Sequence, residues 1–225
     1  MENKLFEDFD ERAQEVSKYF FLIKNLEQGS IQLSMGNPDH SKTKSIDTEL
    51  AKTLKATGFL LLYNLIESTI RNAIEAIFDN IVNQNVAFDD LRKELQKIAI
   101  KNFQKNKSPD NLLIVINNIS LDIISAGFDR EKLFSGNIDG AEIKKIASAY
   151  GFSYRTNARK TQNGNDLLKI KTNRNYLAHG LKSFEEVGRD ATADELLKIK
   201  KRVICYLREI LQNIDNYIFK QEYLK

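Results

Sequence analysis

The sequence is poor in the residues that interrupt helices. It has two prolines and ten glycines in 225 residues. A proline costs roughly 3 kcal/mol and a glycine about 1 kcal/mol inside a helix, so their scarcity favours long helices. Short apolar-polar alternating runs at regular spacing are missing too, which argues against a β-sandwich or barrel. One cysteine, Cys205, excludes an intramolecular disulfide. With it, two distant histidines, His40 and His179, cannot build a zinc site. No metal or other cofactor is therefore expected, although carboxylates alone remain available to Mg²⁺. No run approaches the roughly 20 apolar residues that span a bilayer; the densest are Phe59 to Tyr63 and Leu112 to Ile116. The first residues, Met-Glu-Asn-Lys-Leu-Phe-Glu-Asp, lack the apolar stretch of a signal peptide, so a cytoplasmic protein is expected.

What is present is a chain 42% hydrophobic and 29% charged, with 34 basic and 31 acidic residues and a net charge of +3. Such a chain is long enough to bury roughly 70% of its unfolded surface, and its apolar residues are spread too evenly for disorder. The expected fold is all-α, a bundle of long helices in a single domain over residues 1–225, with an N-terminal helix and loop over 1–45.

Periodicity places the helices. Phe9, Ala13, Val16, Phe20, Ile23 and Leu26 form one stripe of a helix from Leu5 to Glu27, and a polar loop over 30–46 follows. A second, long helix starts at Asp47 or Thr48 and reaches Val82, with Phe59, Leu62, Ile66, Ile70, Ala73, Ile77 and Ile81 at three- and four-residue steps. A third is expected from Phe88 to Phe103. Ser108-Pro109 opens a β-branched-rich segment, Leu112 to Ile124, that fits a helix or a strand. Asp139 caps a short helix ending at Tyr150-Gly151. Residues 152–165 are polar and irregular, with an Asn163-Gly164 turn compatible with a small hairpin. Asp166 then caps a helix from Leu167 to Ala178, closed by Gly180. Thr192 and Glu195 carry a capping-box signature for a last helix to Ile218. Cys205 on that helix reads as a small buried side chain.

Charge is unevenly distributed. Residues 155–182 hold seven basic side chains (Arg155, Arg159, Lys160, Lys169, Lys171, Arg174 and Lys182) against one acid, Asp166. A basic patch of this kind is the footprint of phosphate contacts, and its alternative is a solvated helix face. His179 lies inside it, five positions after Arg174. Five helical steps would leave the two side chains about 140° apart. Gly180 can end the helix and loosen its last turn, letting the two converge on one anion. Arginine offers a planar fork for phosphate oxygens, and histidine exchanges a proton near neutral pH.

The run Arg174-Asn-Tyr-Leu-Ala-His179-Gly180, followed by Ser183-Phe184 and Glu186, resembles the HEPN superfamily (higher eukaryotes and prokaryotes nucleotide-binding). Its signature is Arg, a polar residue, three more residues and His, and Arg174, Asn175 and His179 match it. Leu62-Tyr-Asn-Leu-Ile-Glu67-Ser68 and Phe134-Ser-Gly-Asn-Ile138 extend the similarity to most of the chain after residue 50. The resemblance implies a HEPN-like helical bundle and a metal-independent endoribonuclease that dimerises to form a composite site. Its role would be that of a toxin or an antiviral defence effector, with RNA as substrate and an antitoxin or defence-system protein as a further partner. It also implies His179 as general acid or base, Arg174 as charge stabiliser, and Asn175 orienting His179 or holding a phosphate oxygen. Glu67, on the long helix, would hold Arg174 or share the proton work; its alternative is a surface pair with Arg71. Lys171, Lys182, Arg155 and Arg159 would contact RNA phosphates. Tyr176 and Tyr63 would stack on bases unless they belong to the core. The sequence departs from HEPN toxins paired with nucleotidyltransferase antitoxins at Leu181, where those carry a modifiable tyrosine. A non-catalytic HEPN module that binds nucleotide, RNA or a protein is the competing reading, and a purely structural bundle the third.

Overall fold

The computed structural model describes residues 2–36, 42–106 and 137–225. His40, the segment 108–127 and most of the Phe134-to-Ile138 run lie outside the described residues. The fold is all-α: α1 (Glu2–Glu27), α2 (Thr48–Asn83), α3 (Lys93–Asn106), α4 (Gly140–Tyr150), α5 (Ala158–Thr161), α6 (Asn165–Ala178), α7 (Phe184–Arg189) and α8 (Ala193–Phe219). Between α1 and α2, a short antiparallel ribbon pairs β1 (Leu33–Met35) with β2 (Lys42–Lys44), with Leu33 opposite Lys44. Among the described residues, no helix is long and apolar enough to cross a membrane.

The chain forms two compact units. The first, called here the motif unit, combines residues 7–66 with 158–206. Its core is the expected stripe of α1, the first half of α2, and Leu167, Ile170, Leu196, Ile199 and Val203. The second combines residues 67–157 with 207–225 and the first six residues. Ile70, Ile74, Ile77 and Ile81 of α2 are fully buried in it, as are Leu207, Ile210 and Ile214 of α8. The first half of α2 is apolar on most of its circumference from Phe59 to Ile66, as suits a helix surrounded by others.

Local chemistry sets the helix ends in the second unit. Asp139 accepts from the Glu142 backbone N–H at 2.9 Å, and Gly151 closes α4 in the left-handed conformation. The expected helix from Phe88 to Phe103 is broken instead. A single 3₁₀ turn spans Phe88–Asp90, and α3 begins only at Lys93. Leu91 forms an antiparallel bridge with Leu224, and the Arg92 backbone N–H donates to the Tyr223 carbonyl at 2.9 Å. Those two bonds need extended backbone at the point where a continuous helix would need its own ladder.

Three further expectations are corrected. The loop 30–46 contains the ribbon, whereas residues 158–164 form α5 and a 3₁₀ turn rather than a hairpin. Asn163 and Gly164 do take positive φ, 52° and 77°. Their neighbours Ala158 to Gln162 lack the apolar-polar alternation that strands require, so the turn joins helices. Cys205 is partly exposed rather than buried.

Candidate functional site

The site is organised by α6. Leu167 and Ile170 point into the core of the motif unit, and the same stripe continues four residues on to Arg174. An arginine therefore occupies a position where the periodicity calls for an apolar residue. It is half-buried, and its guanidinium carbon lies 4.7 Å from the ring centroid of Tyr63 on α2. Tyr63 is itself core, 3% exposed. The second contact of Arg174 is a hydrogen bond from Nη1 to the Oδ1 of Asn175, at 3.1 Å. No carboxylate pairs with Arg174 among the described residues of its unit. That sets it apart from Arg12, which pairs with Asp8, and Arg202, which pairs with Asp166.

At the other end of the motif the helix stays regular up to His179, whose backbone N–H still reaches the Asn175 carbonyl at 3.0 Å. His179 is the cap, with φ −100° and ψ 5°. The chain then reverses through Gly180 at φ 65°. Gly180 donates to Leu177 and Leu181 donates to Tyr176, the paired 5→2 and 6→1 bonds of a Schellman stop. The loosening thus falls at His179 and beyond. The imidazole ends exposed at the rim of the unit, within the same turn of chain that returns Lys182. The Lys182 ammonium sits 4.8 Å from the Tyr176 ring centroid. Ser183 and Glu186 then form a capping box at the start of α7, which holds the Glu186 carboxyl below the usual carboxylate range.

The remaining cations divide. Asp166 does not cap α6. Gly164 occupies the cap, and the Asp166 carboxylate takes both Nε and Nη2 of Arg202 on α8. Lys169 bonds Glu195 at 2.8 Å, which removes it from the basic patch as a free charge. Lys171 is half-buried, and Arg159 and Lys160 are exposed on α5. Arg155 and Glu67 belong to the second unit. Arg155 is exposed there, its backbone carbonyl accepting from Asn213. Glu67 bonds Arg71 one turn along α2 at 3.0 Å. Among the described residues, no group of three or more His, Cys, Asp or Glu side chains could hold a metal ion.

The sequence names the residues of the motif but not how they are held. The seat of Arg174 on Tyr63 had a readable signal, since a cation in register with Leu167 and Ile170 must face something in the core. The pairing of Lys169 with Glu195 joins two helices, and no local pattern announces it.

An all-α chain with an Arg-x4-His run at the end of one helix fits a HEPN domain. In the comparison with protein families, residues 1–223 match the HEPN_MAE_28990-like HEPN family, and the chain belongs to it. The match takes in the first 45 residues, which carry no recognisable motif. No curated protein and no solved structure matches the chain.

Proposed function

We propose that this protein is a metal-independent endoribonuclease of HEPN type. One observation carries the reading: the Arg174 guanidinium is fixed by a ring and a carboxamide, both neutral, and so keeps its charge for an incoming anion. An arginine built for stability alone is better served by a carboxylate. Membership of a family whose members are often ribonucleases supports the choice of RNA.

In this reading the ribose 2′-oxygen attacks the adjacent phosphorus. The O2′–P bond forms as the P–O5′ bond breaks, leaving a 2′,3′-cyclic phosphate and a 5′-hydroxyl. The 2′-hydroxyl proton goes to a neutral imidazole, and the departing 5′-oxygen receives a proton from an imidazolium. Arg174 stabilises the charge that grows on the non-bridging oxygens. In a homodimer the two copies of His179 divide the base and acid roles in one composite cleft. The exposed apolar side chains of the motif unit, Leu168, Leu181 and Phe184, supply surface for a second copy. Lys171, Lys182 and Arg159 contribute phosphate contacts along the strand. The biological role, a toxin or a defence effector acting on RNA in the cytoplasm under control of a partner, follows from family likeness alone.

The test is cleavage of single-stranded RNA by purified protein in EDTA, with identification of the cyclic-phosphate end. Binding without cleavage would select the non-catalytic module instead. Growth arrest on expression, relieved by Arg174→Ala, tests the toxin role.

A further inference from the structure

We infer that Tyr63 is the positioning residue of the site: its buried ring is the platform that aims Arg174 at the scissile phosphate. The inference rests on the ribonuclease reading for its consequence and on the geometry alone for the contact. Tyr63 lies on α2, far in sequence from the motif, and its ring is fixed by burial in the core of the motif unit. The guanidinium, its carbon 4.7 Å from the ring centroid, is attracted by the negative face of that ring.

Three consequences follow from the choice of an aromatic seat. A half-buried guanidinium pays desolvation, and a π face offsets part of it without supplying an opposing charge. A glutamate in the same place would hold the group as firmly but would compete with the phosphate for it. The contact with the ring is made without consuming a hydrogen bond, and the guanidinium keeps its N–H donors for other partners. One donor on Nη1 serves Asn175; the others are available for bidentate capture of phosphate oxygens. Finally, a ring occupied by Arg174 and sealed in the core cannot stack on a base. Tyr63 acts on the reaction through Arg174 only.

The experiment uses the full chain with residue 63 as Tyr, Phe, Leu or site-specifically incorporated pentafluorophenylalanine, which keeps the aromatic shape and inverts the ring quadrupole. The first readout is the Nε–Hε NMR resonance of Arg174, assigned by its loss in Arg174→Ala. The second is the split of RNA cleavage into kcat and KM. Tyr63→Phe should keep the ring-current shift and leave kcat within about twofold. Tyr63→Leu and the fluorinated ring should each lower kcat about tenfold or more with little change in KM. Tyr63→Leu should also move the Arg174 resonance to an ordinary exposed value. If Tyr63→Leu fails to fold, the fluorinated variant decides. An unmoved resonance in Tyr63→Leu, or equal kcat for the fluorinated ring and Phe, would overturn the inference. If wild type cuts no RNA, the ribonuclease reading fails separately. The seat is then judged by the resonance and by affinity for a 2′-deoxy oligonucleotide, which Tyr63→Leu should weaken and Tyr63→Phe should not.

Discussion

Asn175 Oδ1 accepts a hydrogen bond from Nη1 of Arg174, the residue immediately before it on α6, at 3.1 Å. Adjacent residues on a helix leave its axis about 100° apart, so two neighbours meet only if the longer side chain bends toward the shorter. The bond therefore fixes a rotamer of Arg174 that its backbone position alone would not. Asn175→Ala should lower kcat/KM for RNA about three- to tenfold, the range of one net hydrogen bond of about 0.5–1.5 kcal/mol. Steady-state cleavage kinetics read this directly, and an unchanged value would show that Tyr63 alone suffices.

Two glycines flank the site and differ in kind. At Gly180 nothing lies within 4 Å of an added Cβ, and only its φ of 65° resists substitution. Gly180→Ala should cost about 1–2 kcal/mol, lowering Tm by a few degrees, with Gly180→Asn closer to wild type. At Gly188 in α7, an added Cβ would collide with the backbone carbonyl of Lys52. Gly188→Ala should therefore lose more stability than Gly180→Ala, because α7 must move off α2 within the motif unit. Thermal unfolding of the two variants side by side gives the order, and the reverse order would contradict this packing.

Much of the fold was legible because burial follows the 3.6-residue period so closely. Each stripe residue picked out in α1 and in α2 is buried, and α2 runs within one residue of its expected ends. Caps that depend on a neighbour three residues away, such as Asp139 with Glu142, were legible for the same reason: they are local. The misreadings have the opposite character. The break at Leu91 is imposed by Leu224, and the diversion of Asp166 from cap to ion pair by Arg202. In the site, the motif named Arg174, Asn175 and His179, while the tyrosine beneath the arginine and the glutamate that neutralises Lys169 come from other helices.

That neutralisation bears on RNA affinity. If phosphate contacts bind RNA, Lys182→Ala should reduce the slope of log Kobs against log salt by roughly 0.7, the single-strand value per phosphate contact. Lys169→Ala should leave the slope nearly unchanged, since its ammonium is committed to Glu195 at 2.8 Å. Binding titrations at several salt concentrations separate these cases.

The same pair governs part of the acid stability. The Lys169 hydrogen bond, with help from the Thr192 backbone, holds the Glu195 carboxyl below its ordinary range. A carboxyl depressed in the folded state binds protons less readily there than in the unfolded chain. Its contribution is therefore complete above the usual glutamate value, about 4.3, and is lost as pH falls below it. Glu195→Gln should lower Tm at pH 6 and flatten its fall between pH 5 and 3. A parallel fall in both proteins would contradict the assignment.

Glu67 separates two roles by magnitude. Bonded to Arg71 as an i, i+4 pair, it should contribute about 0.3–0.5 kcal/mol to stability. Glu67→Gln should leave RNA cleavage within a few-fold of wild type. A loss of a hundredfold or more with intact folding would instead give Glu67 a share of the proton transfer.

The central claim is that Arg174 and His179 together break a ribose–phosphate linkage. Its most direct measurement is single-turnover cleavage of a labelled single-stranded RNA in EDTA by wild type, Arg174→Ala and His179→Ala. The account predicts a 2′,3′-cyclic phosphate product from wild type, a rate lower by about 10²–10⁴-fold for His179→Ala, and one lower by about 10²–10³-fold for Arg174→Ala. Cleavage by either variant at the wild-type rate, or none by wild type on any RNA it binds, would contradict it.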